Sequence, residues 1–161
     1  MKELLERLFE QFDTALQKEA EEVRQVGALP TVEKINCKIV GQIALFLADL
    51  PFDIASTMDV DILFIPPHAT TKTLKELFLH HGLVLETDHR LIWMPKETKF
   101  HPLFDGIYVK VSFADSLYII ASKCKFQREK DRKLIEQYFA HFSKAKDKIK
   151  ELGIDTKWLQ Q

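Results

Sequence analysis

Cysteine is scarce: Cys37 and Cys124 are the only two, far apart and with no second thiol at metal-ligand spacing. That argues against a disulfide framework or a zinc site and leaves both as small apolar fillers. No apolar run approaches the roughly 20 residues needed to span a bilayer, so no membrane partner is expected. Net charge is nearly absent too, with 23 Lys and Arg against 24 Asp and Glu, which removes any global pull toward nucleic acid or an anionic surface. The opening MKELLERLFEQF is acidic and amphipathic, unlike a signal peptide, and a cytoplasmic location is the expectation. Glycine and proline are few, so each marks a break. Gly27 and Pro30 end a first helix, Gly41 turns the chain, Pro51 closes a second helix, Pro66-Pro67 stops a strand, and Gly82 ends a third helix.

What is present is an ordinary globular composition, 46% hydrophobic and 29% charged, in 161 residues, enough for one domain with a sizeable core. Leu5, Leu8, Phe9, Phe12, Leu16, Ala20 and Val23 recur at helical steps over residues 2 to 25 and form one apolar stripe, suited to core packing and also to sealing a homodimer. Charge is distributed unevenly. Residues 1 to 22 hold three Lys/Arg against seven Asp/Glu, whereas residues 123 to 150 hold ten against four, making the C-terminal portion the candidate anion-binding face.

The informative stretch runs from Cys37 to Ile65: a strand at Lys38 to Val40, the Gly41 turn, a helix from Ile43 to Leu50, a loop to Thr57, and the strand DVDILFI. Side chains alternate across a strand, so Asp59 and Asp61 share one face while Val60, Ile62 and Phe64 share the other. Two convergent carboxylates on an otherwise apolar strand repel one another unless a cation neutralises them. Hard oxygen ligands suit Mg²⁺ or Mn²⁺, which commonly bind through one or two carboxylates plus nucleotide phosphates.

Downstream, Thr70 or Thr71 is placed to cap the helix TKTLKELFLHHG, with Leu74, Leu77 and Phe78 on its buried side. Leu83 to Glu86, Arg90 to Met94 and Ile107 to Phe113 read as strands, with Thr87-Asp88-His89 as a hairpin turn between the first two. Lys96 to Asp105, with Pro102 and several charges, reads as a loop at the mouth of a site. Asp115-Ser116 caps a further helix, and Ile149, Leu152 and Trp158 of the tail are available to pack back or to meet a cognate partner protein. The expected fold is α/β (or α+β), a mixed, mostly antiparallel sheet of about four to five strands flanked by helices. It divides into an N-terminal helical segment (1–36), a core (37–115) and a helical C-terminal segment (116–161).

The order Gly41, Ala44, Pro51, Thr57, Asp59, Asp61 resembles the nucleotidyltransferase superfamily, and most of all its bacterial minimal and abortive-infection-toxin types, which read G-G-x-A and then P-R-x-T-x-D-h-D. Gln42 takes the place of the second Gly or Ser, and Ala55 stands where relatives often place Arg. Lys123, Arg128, Lys130 and Asp131 resemble the K and R-x-x-D element of the same proteins. The resemblance implies transfer of a nucleotidyl group from an NTP to protein or RNA. It makes Asp59 and Asp61 the catalytic metal ligands, lines the nucleotide with Gly41, Gln42 and Thr57, and places Lys123 and Arg128 on its phosphates. It also implies a third carboxylate near the pair, for which Glu97, Asp105 and Asp115 are the candidates. A toxin–antitoxin or phage-defence role belongs to the same resemblance. The alternative is a catalytically degenerate module of that fold that binds nucleotide or another protein.

Overall fold

Helix α1 (Lys2–Gln25) forms along the anticipated stripe: Leu5, Leu8, Phe9, Phe12, Leu16 and Ala20 are all buried. The computed structural model describes residues 1–30, 33–63, 68–88 and 92–161. Strand β1 (Ile35–Val40) leads into α2 (Gly41–Leu47), β2 (Asp59–Ile62), α3 (His68–His80) and β3 (Val84–Glu86). Strands β4 (Phe100–Asp105) and β5 (Val109–Ala114) follow, then α4 (Ser116–Phe126), α5 (Arg132–His141) and α6 (Ala145–Glu151).

Among the described residues, five strands form one mixed sheet in the order β3-β2-β1-β5-β4. β1 runs antiparallel to β2 and parallel to β5, β2 is parallel to β3, and β4 is antiparallel to β5. Parallel and antiparallel pairings are thus equal in number, where mostly antiparallel pairing was expected. Register divides the sheet into two chemically distinct faces. On one, Cys37 lies beside Val111, Ile39 beside Ile62, and Val60 beside Leu85, all buried. Helices α1 and α3 cover this face and meet through an edge-to-face contact of Phe9 and Phe78 at 5.8 Å. Burying each of these rings contributes about 1.5–3 kcal/mol. The other face places Lys38 beside Ser112, Val40 beside Asp61, and Asp61 beside Glu86.

Several local expectations are corrected. Lys96 to Asp105 is not all loop, because Phe100–Asp105 forms edge strand β4, with a register shift between Pro102 and Phe104. An edge strand accommodates proline at such an irregularity, since no neighbour needs its missing N–H. Ile92 to Met94 is not a strand, and Arg90 and Leu91, like His89 of the expected hairpin turn, lie outside the described residues. Helix α2 ends at Leu47, before Pro51, because Asp49 takes a left-handed conformation at φ 50°. Thr70 and Thr71 sit inside α3, which begins at His68, and the continuation of β2 through Phe64-Ile65 to Pro66-Pro67 lies outside the described residues.

The C-terminal helices pack on one another, α4 against α5 and α6. Asp115 caps α4 by accepting from the Leu117 N–H at 3.0 Å. Ile149 and Trp158 are buried, and Arg132 donates to the carbonyls of Trp158 and Leu159 at 3.3 and 3.2 Å, which ties α5 to the tail. Among the described residues no helix is long and apolar enough to cross a membrane.

Candidate functional site

Asp61 lies at the junction of three elements. It sits on β2 opposite Val40 at the end of β1, and beside Glu86 at the end of β3. Gly41, the next residue after Val40, opens α2 at φ +69°, and a Cβ built on it would overlap Asp61 Oδ2. Glycine is therefore required twice over, by its left-handed backbone and by the carboxylate packed on its Cα. Gly41→Ala is expected to cost about 2–3 kcal/mol, of which about 1–2 is the backbone conformation and the rest the collision. In an Asp61→Ala background the same substitution should cost only the backbone part. Urea unfolding of the two single variants and the double variant measures this, and equal costs in both backgrounds would remove the collision.

Burial pushes the Asp61 carboxyl up to about 6, assisted by the negative charges of Glu86 and Asp59 and opposed by Lys123 and Arg128. The two cations come from the helical C-terminal segment. Lys123 on α4 is only 8% exposed and donates to Asp131 at 2.6 Å, while Arg128 donates to the other carboxylate oxygen of Asp131 at 2.7 Å. Asp131 is itself 5% exposed and sits in a short 3-10 turn, Glu129–Asp131, just before α5. One buried carboxylate thus fixes both cations. Desolvation lowers the pKa of Lys123, and the bond to Asp131 works against that shift.

Acids and cations face a common cavity of about 280 Å³. Asp61, Glu86 and Asp88 line it from the strand side with Gly41, Lys123 and Arg128 from the helical side, and Ile92, Met94 and Phe126 contribute apolar surface. Of the residues singled out in the sequence, Gly41, Asp61, Lys123 and Arg128 meet here. Asp59 lies on the same face as Asp61, exposed and outside the cavity lining, and its N–H donates to Thr57 Oγ1 at 3.2 Å. The Gln42 amide turns away and donates to the Ala55 carbonyl at 3.2 Å.

None of the three candidates for a further carboxylate lines the cavity. Asp105 pairs with Lys34, Asp115 caps α4 and bonds His101 at 2.8 Å, and Glu97 is exposed in a turn. The position beside Asp61 belongs instead to Glu86, whose only sequence signal is an acidic residue closing a short apolar strand.

Among the described residues no three His, Cys, Asp or Glu side chains are gathered as a metal cage. Mg²⁺ needs less, since one or two carboxylates suffice when substrate phosphates and water complete its octahedron. Asp61 with its neighbour Glu86 meets that requirement, and their mutual repulsion is the kind a divalent cation relieves. The cavity thus brings carboxylates and two cations to one lining, groups of opposite charge that could hold a cation and an anion side by side. No protein-family model, no curated protein and no solved structure matches this chain.

Proposed function

We propose that this chain is a nucleotidyltransferase-like protein that binds an NTP with Mg²⁺ or Mn²⁺ and transfers its nucleotidyl group to a hydroxyl of a protein or RNA. The observation that carries the reading is the opposition, across one cavity at the Gly41 turn, of Asp61 and Glu86 to Lys123 and Arg128. Strand, glycine turn, short helix and Asp-x-Asp strand follow one another as the resemblance implies. Asp61 and Glu86 would hold the cation, with Asp59 next along the same strand face, and the cation would supply neutralisation of charge on the phosphates. Lys123 and Arg128, fixed by Asp131 before any ligand arrives, grip the outer phosphates. The acceptor oxygen attacks the α-phosphorus, its proton passes to solvent, and pyrophosphate leaves as the α–β bridging bond breaks.

A second reading is favoured by the placement of Asp59 outside the cavity lining. Two-metal transfer needs enough carboxylates to hold two cations at the reacting phosphorus, and a chain that holds one cation loosely binds nucleotide without transferring it efficiently. Labelling decides between the two. Wild type should incorporate labelled nucleotide into itself or into added RNA, and the Asp59→Ala/Asp61→Ala double variant should not. Labelling that survives the double substitution moves the active site elsewhere. Absent labelling, with Mg-NTP binding intact by calorimetry, establishes the binding-module reading.

A further inference from the structure

We infer that Arg132 is a positioning residue for the anion site: it couples the turn that fixes Lys123 and Arg128 to a second 3-10 turn, Lys157–Gln160, so that a seated second turn and a bound anion strengthen one another. The inference rests on the reading above that Lys123 and Arg128 take the phosphates, and it adds to that site a residue from outside the cavity lining.

Both cations depend on one carboxylate. Asp131 Oδ1 accepts from Lys123 at 2.6 Å and Oδ2 from Arg128 at 2.7 Å, so a change in the orientation of Asp131 moves the two together. The backbone of Asp131 belongs to the short turn Glu129–Asp131, closed by its N–H on the Arg128 carbonyl at 2.9 Å. A single 3-10 turn is weakly held by its own hydrogen bonds, whose geometry is poorer than in an α-helix. Arg132, the next residue, supports it from outside. Its Nε donates to the Glu129 carboxylate at 3.1 Å, and its two terminal nitrogens donate to the carbonyls of Leu159 and Trp158 at 3.2 and 3.3 Å.

Glu129 is exposed, and its ion pair with Arg132 contributes little by itself. The bonds to the second turn differ, because the segment they reach is anchored in the core. Ile154, Thr156 and Trp158 are all buried, and the Arg132 guanidinium lies over the Trp158 ring, 5.2 Å from its centroid. A guanidinium spreads its donors over three nitrogens in a planar fork and so serves a carboxylate and two carbonyls at once, whereas lysine concentrates its donors on one nitrogen and cannot span them. Contacts run without a gap from Trp158 through Arg132 to the first turn, to Asp131, and to both cations. Coupling along such a path is reciprocal: if seating the second turn raises anion affinity, the anion holds that turn in place by the same factor.

The probe is inorganic pyrophosphate with Mg²⁺. On wild type, calorimetry should find saturable binding that Arg128→Ala weakens about tenfold or more. At saturation, hydrogen exchange of the Leu159 and Gln161 amides, which donate to the carbonyls of Thr156 and Trp158 in the second turn, should slow about fivefold or more. Arg132→Met and Arg132→Lys should each weaken pyrophosphate about fivefold or more, and in neither should saturating pyrophosphate slow that exchange. A role confined to stability lowers the denaturation midpoint of the variants while leaving pyrophosphate affinity and the exchange response as in wild type, and this result overturns the inference. Wild-type affinity in Arg132→Lys overturns it as well, since charge alone would then suffice. Exchange at the two amides that pyrophosphate leaves unaltered on wild type overturns it without recourse to any variant. Absence of pyrophosphate binding by wild type, or binding that Arg128→Ala leaves intact, defeats the reading of the anion site itself, and the coupling with it.

Discussion

Asp13→Ala should lower the free energy of unfolding by about 4 kcal/mol, a large effect for a residue on the surface-seeking side of the hydropathy scale. Asp13 is 4% exposed on α1 and accepts four hydrogen bonds. Three come from consecutive backbone N–H groups in and after the β4–β5 turn: Tyr108 and Val109 to Oδ1 at 2.7 and 2.9 Å, and Ile107 to Oδ2 at 3.1 Å. The fourth comes from the Gln17 amide at 2.8 Å. Alanine leaves those donors without their acceptor in a site with little access to water, at about 1–3 kcal/mol for each buried group. Asn retains one oxygen for Tyr108 and Val109 but opposes an amide to the Ile107 N–H, so Asp13→Asn should fall between alanine and wild type. Gly106 belongs to the same knot, since a Cβ there would collide with the Asp13 carboxylate. Urea denaturation measures the loss, and a cost for Asp13→Ala below about 1 kcal/mol would show that water replaces the carboxylate freely.

Asp61→Asn should have the opposite sign, stabilising the protein by about 1–2 kcal/mol at pH 8, and on the proposed function it should abolish Mg-NTP binding. The Asp61 carboxyl, at 3.8 in an unfolded chain, is held up to about 6 by burial and by Glu86 and Asp59. Between those values the folded chain binds more protons than the unfolded one, so stability falls as pH rises from about 4 to about 6 and is level above that. The full difference corresponds to about 3 kcal/mol, and partial solvent access reduces it to the figure given. Asparagine keeps the shape and removes the charge, so the variant should lose this downward slope. Denaturation midpoints of the two proteins at half-unit intervals from pH 4 to 8 check it. Parallel curves would mean that the site does not oppose ionisation of Asp61.

Legibility in the sequence followed locality. The stripe of α1, the same-face relation of Asp59 and Asp61, and the Asp115 cap are properties of a few consecutive residues, and the structure has each of them. The mixed α/β class was equally readable, as elements alternate along the chain. Strand β4 was hidden because Pro102 and its charged neighbours carry loop chemistry, which an edge strand tolerates and a central strand does not. Glu86 was hidden for another reason: its place beside Asp61 depends on β2 and β3 being parallel neighbours in one register, a non-local fact no spacing encodes. Asp13 was overlooked although it lies four residues after Phe9 and three before Leu16, within the apolar stripe itself. A lone carboxylate in such a stripe signals a buried partner elsewhere in the chain.

The Asp13 knot also sets an order of events in time. Its backbone donors lie 94 to 96 residues further along the chain, and β5, which they introduce, occupies the sheet between β1 and β4. On a ribosome adding about 5–20 residues each second, Asp13 waits several seconds for these partners, whereas Phe78, which meets Phe9, is made earlier. The sheet centre and the α1 clamp then close together once β5 emerges. So long a separation between these segments makes the closing of the Asp13 knot a late step of folding, taken only after β5 is made.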